Sequence, residues 1–279
     1  MKRHDDICSL QEDFLQEYTA AENIRKYVKN TAGYGISYLL DHDYGDLYWE
    51  VIDKILPPLP EGRGLRLLEF GCGAGMNLLH LVSALERRKT PLDSAFGTDF
   101  SASLIEAANR ETETALTPQA ASKVRFCVAK NESLHTDLAG QLHVTPESLE
   151  GSFDLIFGIN TIRYCHRLKK AEDNAQDIYR LLRDQGVCMV VDMNDKFPAF
   201  RGQFRDWRTK SREAYYLPSL DEYARPFESA NFKILRKTHF CWVPHSAGKR
   251  LVMLMLAVSP LLNCFFRKRA MRSLVISQK

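Results

Sequence analysis

"LLEFGCGAGMNLLHL", Leu67–Leu81, sets three glycines at alternate positions between an apolar run and a helix-like apolar repeat. A strand core wants side chains and a helix start wants few glycines, so the spacing calls for a tight turn. Gly71 and Gly73 can take φ values closed to other residues and present bare backbone to a ligand. Gly75 lets helix and strand pack closely. A helix beginning near Met76 leaves its first N–H groups unpaired and carries a partial positive charge there. In wound α/β sheets, nucleotide-type ligands bind at such a point, beyond the carboxyl ends of the strands. A dinucleotide fingerprint would need glycine at position 76, which is methionine, and no Gly-Lys-Ser/Thr follows to make a P-loop. Glu69, two residues ahead of the first glycine, suits a cationic amino group and would repel a pyrophosphate.

Outward from this turn, "LRLLEF" (65–70) and "FDLIFG" (153–158) have the length and continuity of strands buried on both faces. Shorter candidates are "SAFGTDF" and "KVRFCVA", ending near Asp99 and Ala129. "VCMVVDM" (187–193), "FKILRKTHFCWV" (232–243) and "RSLVIS" (272–277) follow. Helical periodicity fills Met76–Leu85, Ser103–Arg110, Ala171–Leu182 and Ser219–Ala230. The alternation predicts an α/β fold, a Rossmann-like doubly wound, mostly parallel sheet of seven strands. The last two strands are more polar and fit an antiparallel edge. Residues 1–60, rich in helix formers and aromatics, read as an N-terminal helical lid over the ligand-binding edge. Residues 61–279 read as the core, with a polar, aromatic insert after the fifth strand (about 194–219) and an apolar helix at about 246–266.

The 279 residues are 45% hydrophobic and 26% charged, the balance of a folded soluble protein, and a net charge of +3 is too mild to argue for nucleic acid. Seven cysteines, odd in number and never spaced CxxC, point to neither a disulfide framework nor a zinc site. The first residues, "MKRHDDICSLQEDF", carry charges and no apolar core, unlike a secretory leader, and the expected compartment is the cytoplasm.

With these motifs in order, the chain resembles the class I S-adenosylmethionine-dependent methyltransferases from about residue 45 to the end. "LLEFGCGAG" is similar to that family's first motif, "AFGTDFSASLIEAANR" to its second, and "SFDLIFGINTIRYC" to its fourth. "LLRDQGVCMVVDM" matches the usual turn and fifth strand. The resemblance implies S-adenosylmethionine as cofactor. It implies that Glu69 holds the methionine amino group and that the backbone at Gly71, Cys72, Gly73 and Gly75 passes under the ligand. Asp99 would accept from the two ribose hydroxyls, Phe100 would lie against the adenine, and Asn160 would face the methionine end. Many relatives carry an acidic residue after the third strand to meet the adenine amine. Here that region reads "VAKNESL", and Asn131 or Glu132 is the candidate.

Methyl transfer from a sulfonium is an in-line displacement whose donor is already activated, so the enzyme aligns the partners and removes water. A hydroxyl acceptor gains from a general base. "NTIRYCHR" after the fourth strand offers Tyr164 and His166 as catalytic candidates, with His166 as base, and Arg163 for the acceptor pocket. Tyr18, Tyr27 and Tyr34 are further pocket candidates. Asp192, Asn194 and Asp195 look like a metal-binding acidic cluster, yet Asn160 stands where a further acid would be needed, so no metal is expected. The reading is transfer to an oxygen or nitrogen of a small-molecule acceptor. The alternatives are a nucleic-acid or protein methyltransferase, or a silent cofactor-binding scaffold. Against base methylation, "NTIR" lacks the Asn/Asp-Pro-Pro-aromatic turn, and no nucleic-acid partner is expected.

Leu251–Phe266 is mainly apolar and ends in "RKRAMR" (Arg267–Arg272). Sixteen residues fall short of the roughly 20 that span a bilayer. Two readings stand: a helix packed over the sheet or in a homodimer interface, and an interfacial helix making peripheral membrane contact through 251–272.

Overall fold

The computed structural model describes residues 33–198 and 217–279. The apolar runs form strands β1 (Leu65–Phe70), β2 (Leu92–Asp99), β3 (Val124–Val128), β4 (Phe153–Ile159), β5 (Leu182–Met193), β6 (Lys233–Phe240) and β7 (Arg272–Gln278). The helices are α1 (Tyr34–Asp41), α2 (Asp43–Glu50), α3 (Met76–Arg88), α4 (Ala102–Ala115), α5 (Pro118–Ala121), α6 (Leu134–Leu142), α7 (Ile162–Arg167), α8 (Ala171–Leu181), α9 (Leu220–Ser229) and α10 (Lys249–Phe266). One sheet runs in the order β3-β2-β1-β4-β5-β7-β6, with β1 to β5 parallel.

The expected antiparallel edge takes a different form. β7 is the reversed strand, and it pairs antiparallel with both β5 and β6, so only β6 lies at the edge. With a neighbour on each side, β7 is buried from Arg272 to Ser277. Its alternate residues feed two cores, Leu274 and Ile276 one, Val275 the other.

Those two cores follow from strand pleat. Leu67 faces a layer with Leu78, Leu81 and Leu85 of α3 and Tyr44, Tyr48 and Val51 of the N-terminal helices. Leu68 faces the opposite layer, with Ile178 and Leu181 of α8 and Tyr223 and Phe227 of α9. Both leucines are fully buried, each contributing about 2 kcal/mol relative to exposure. Where helices start, local chemistry fixes the point: Ser101 accepts from Leu104 N ahead of α4, and Ser219 and Glu222 form a reciprocal capping box on α9.

β1 has β2 on one side and β4 on the other, the point where the strand order reverses and where sheets of this kind bind ligands, beyond the carboxyl ends of the strands. The described part of the N-terminal segment packs into the core on the Leu67 side of the sheet. Tyr48 meets the Phe157 ring of β4 edge-on at 5.1 Å, and Tyr44 OH is 3.0 Å from His245 Nε2.

Candidate functional site

Gly71, Gly73 and Gly75 all have left-handed backbone, at φ of 61°, 56° and 81°. A Cβ on Gly71 would collide with the Thr161 side chain, and one on Gly75 with the Phe126 ring. Both positions are therefore closed by the protein's own packing as well as by φ. The turn places Glu69 beneath the first turn of α3. Glu69 is fully buried, and its carboxylate accepts from Asn77 Nδ2 and from Leu78 N, each at 3.0 Å. Burial raises its pKa from an ordinary 4.5 to about 8, against the pull of those two donors. Beside it, Asn77 Oδ1 is buried and has no hydrogen-bond partner among the described residues. The buried Tyr48 hydroxyl, within electrostatic reach of Glu69, is likewise unpaired.

Asp99 ends β2 and ties the turn to the next loop. Its carboxylate accepts from Gly73 N at 3.0 Å and from Ser101 N at 2.9 Å. Burial raises its pKa, and the N–H groups of Ser101, Gly73 and Phe100 oppose the rise. Phe100 follows, half-buried. Asn131 stands in the turn after β3 and donates from Nδ2 to Thr161 Oγ1 at 2.9 Å, reaching the residue that packs on Gly71. Glu132 is half-buried in the same turn.

Asn160, at the end of β4, has φ of +59°. Its Oδ1 accepts from Arg272 Nη1 at 2.7 Å, while Arg272 Nη2 lies 3.0 Å from His245 Nε2. A guanidinium can only donate, so Nε2 of His245 is an acceptor and the ring is neutral. Burial, then the Arg272 and Arg163 charges, push the His245 pKa down to about 3. Arg272 is 3% exposed, its Nε has no partner, and no carboxylate pairs with it among the described residues. Arg163 is compensated. It donates from N and Nη1 to Asp192 at 3.0 and 2.6 Å, from Nη1 to Asn160 O at 3.0 Å and from Nη2 to Tyr164 OH at 2.7 Å.

Several candidates stand elsewhere than the sequence placed them. The Cys72 side chain is buried in the core, and its N donates to Thr98 O at 2.8 Å. Tyr34 is 45% exposed at the start of α1, whereas Tyr44 and Tyr48 of α2 are buried. Tyr18 and Tyr27 lie outside the described residues. His166 sits a turn beyond Arg163, with its ring 5.5 Å from Tyr223 of α9 and a buried Nε2 that has no hydrogen-bond partner among the described residues. Burial lowers its pKa, with Glu172, Asp192 and Glu222 opposing. The histidine linked to Asn160, through Arg272, is His245. Asp192 is committed to Arg163, and Asn194 donates to the Lys268 and Ala270 carbonyls at 3.0 and 2.6 Å, so these two do not converge with Asp195.

A methyltransferase-domain family model matches residues 40–237. The chain belongs to that family. It is an S-adenosylmethionine-dependent methyltransferase with the Rossmann-like fold. Among curated relatives, a non-reducing polyketide synthase, mapC, of Penicillium roqueforti is 28% identical over 153 residues, covering 53% of this chain and 5% of the synthase. The citrinin polyketide synthase of Monascus ruber is 26% identical over 148 residues, again 53% of this chain and 5% of the relative. The chain thus spans a small fraction of the relatives it matches. The structure of the citrinin polyketide synthase CMeT domain aligns with a TM-score of 0.60 at 20% identity, over 94% of this chain and 58% of that one. Phosphoethanolamine N-methyltransferase 2 of Haemonchus contortus, solved with S-adenosyl-L-methionine, aligns with a TM-score of 0.59 at 16% identity, over 96% and 59%. At these identities the structural likeness speaks for the fold.

The residues present fit the family's cofactor. Glu69 is a buried acid with no ion pair among the described residues, and with the unpaired Asn77 Oδ1 beside it would accept from a cofactor's ammonium. The sequence reading missed Tyr44, Tyr48, Asn77, His245 and Arg272. Asn77 carried a signal, a polar residue on the apolar face of an amphipathic helix.

Proposed function

We propose that the chain transfers the methyl group of S-adenosylmethionine to an oxygen or an enolisable carbon of a small-molecule acceptor that reacts as an anion. The bound cofactor supplies an electrophilic methyl group on a sulfonium. In this reading Glu69 receives the ammonium and becomes ionised by it, with Tyr48 OH and Asn77 Oδ1 as further acceptors. Asp99 accepts from the ribose hydroxyls, Phe100 lies against the adenine, and Asn160 faces the methionine end. Asn131 is the candidate for the adenine amine.

The observation that carries the acceptor class is Arg272, a buried guanidinium tied to Asn160 and paired with no carboxylate among the described residues. An unpaired buried cation favours a phenolate or enolate oxygen and disfavours a protonated amine. His245 and Tyr44 act as positioning residues that hold Arg272 at the end of β4. This reading replaces nitrogen with carbon beside oxygen. It is supported by solved neighbours titled carbon methyltransferases, DszA and CurJ. The test is a labelled-methyl assay on phenols, 1,3-dicarbonyl compounds and amines. Transfer to the first or second group and none to amines is expected. Transfer confined to amines overturns the reading, and cofactor binding without transfer to any acceptor favours a scaffold.

A further inference from the structure

Helix α10 turns its apolar residues the wrong way for a soluble protein. Along its 18 residues only Val252 is buried. Met253, Leu254, Leu261 and Phe265 are 57%, 56%, 61% and 69% exposed. At about 100° per residue these four fall on one stripe with the exposed Ala257, opposite Val252. Arg250 and Lys268 lie on the same stripe, about five turns and roughly 27 Å apart, one at each end. The surrounding charge is one-sided: residues 229–279 hold ten Lys and Arg and no Asp or Glu.

We propose that this stripe docks the protein on an anionic lipid surface, with α10 lying in the plane of the interface. An exposed apolar strip between basic ends matches acyl chains below and lipid phosphates above, since Arg and Lys reach the headgroups along their own apolar stems. Helical residues 249–269 are long and apolar enough to cross a membrane, but both ends are tied to one folded domain. Gly35 N donates to Ala247 O at 2.8 Å before the helix, and Asn194 Nδ2 holds Lys268 O and Ala270 O after it. A span would put those ends on opposite sides of about 30 Å of hydrocarbon. A second copy of the same face would bring like charges together with no acid to relieve them. Nucleic acid would leave the apolar middle of the stripe against phosphates. The loop leading into α10 carries His245, so docking would set the bilayer close to the acceptor cluster.

Co-sedimentation of the full chain with vesicles tests this, using phosphatidylcholine alone and phosphatidylcholine mixed with phosphatidylserine. The wild type is expected to pellet with the mixed vesicles only and to be released at high salt. The triple variant Met253→Glu/Leu261→Glu/Phe265→Glu loses tenfold or more, and Arg250→Gln/Lys268→Gln loses on the order of tenfold. All five side chains are exposed, so unchanged thermal unfolding and cofactor affinity serve as the folding control. No pelleting of the wild type, or a triple variant that pellets equally well, overturns the proposal. So does a wild-type dimer that the triple variant converts to monomer without any vesicle binding, or salt-sensitive RNA binding in place of vesicle binding.

Discussion

At the carboxyl ends of β1 and β2, two buried acids, Glu69 and Asp99, have no ion pair among the described residues. At the ends of β4 and β7 the reverse holds: Arg272 is buried and pairs with no carboxylate among the described residues. A protein at equilibrium with water avoids uncompensated buried charge unless something else supplies the partner. Glu69, neutral in the ligand-free protein near pH 7, and Asp99 are acceptors suited to the proposed cationic donor. Arg272 is a donor suited to the proposed anionic acceptor, and Thr161, next to Asn160, packs on Gly71 between them. Each half can be discharged separately, and that gives ways to break the comparison.

The largest effect is expected from Arg272→Met, a substitution of similar reach that removes the charge. Turnover should fall by about 10²–10³-fold, the usual consequence of losing a donor to a developing oxyanion. Cofactor affinity, measured by calorimetry, should stay within about twofold. A parallel loss of affinity would mean that the halves are not separate. Next comes Glu69→Gln, which should weaken cofactor binding by about 10–100-fold. The same change removes the buried acid and should raise the melting temperature of the ligand-free protein. A variant less stable and equally tight in binding would place Glu69 in the fold alone.

The raised Glu69 pKa makes a smaller, graded prediction. Because the folded-state value of about 8 exceeds the ordinary 4.5, the neutral acid contributes stability that is fully present below the ordinary value. That contribution is lost as pH rises through about 8. Denaturation midpoints of the ligand-free wild type should therefore decline relative to Glu69→Gln across that window and run parallel outside it. Parallel curves throughout would refute the shift. The smallest effect is expected at His166: with its ring against Tyr223 rather than beside Asn160, His166→Ala should change turnover by less than about threefold. A loss of about a hundredfold would restore it as the base.

The two halves also differed in how far the sequence could be read. The cofactor half comes from one short stretch, Glu69 to Ser101, where glycine φ, a helix N-terminus and strand continuity are local properties. All seven strands were visible for the same reason. The acceptor half joins Tyr44, Asn160, His245 and Arg272, and only the pairing of β7 between β5 and β6 brings them together. Arg272 in "RKRAMR" looks like one more basic residue of a surface run, and nothing local marks it as the buried one. His166 drew attention because it follows β4 in sequence, but α7 carries it past the strand end. Polarity marked β6 and β7 as an antiparallel edge pair, but that β7 lies inside β6 and is buried on both sides depends on neighbours far along the chain.

Proton release on cofactor binding tests the opposed-charge account most directly. Calorimetry near pH 6.5, in buffers of different ionisation enthalpy, counts the protons exchanged when S-adenosylmethionine binds. The account predicts that the wild type releases close to one proton as Glu69 ionises against the donor's ammonium, and that Glu69→Gln releases none. Tight binding by the wild type with no proton release would contradict it.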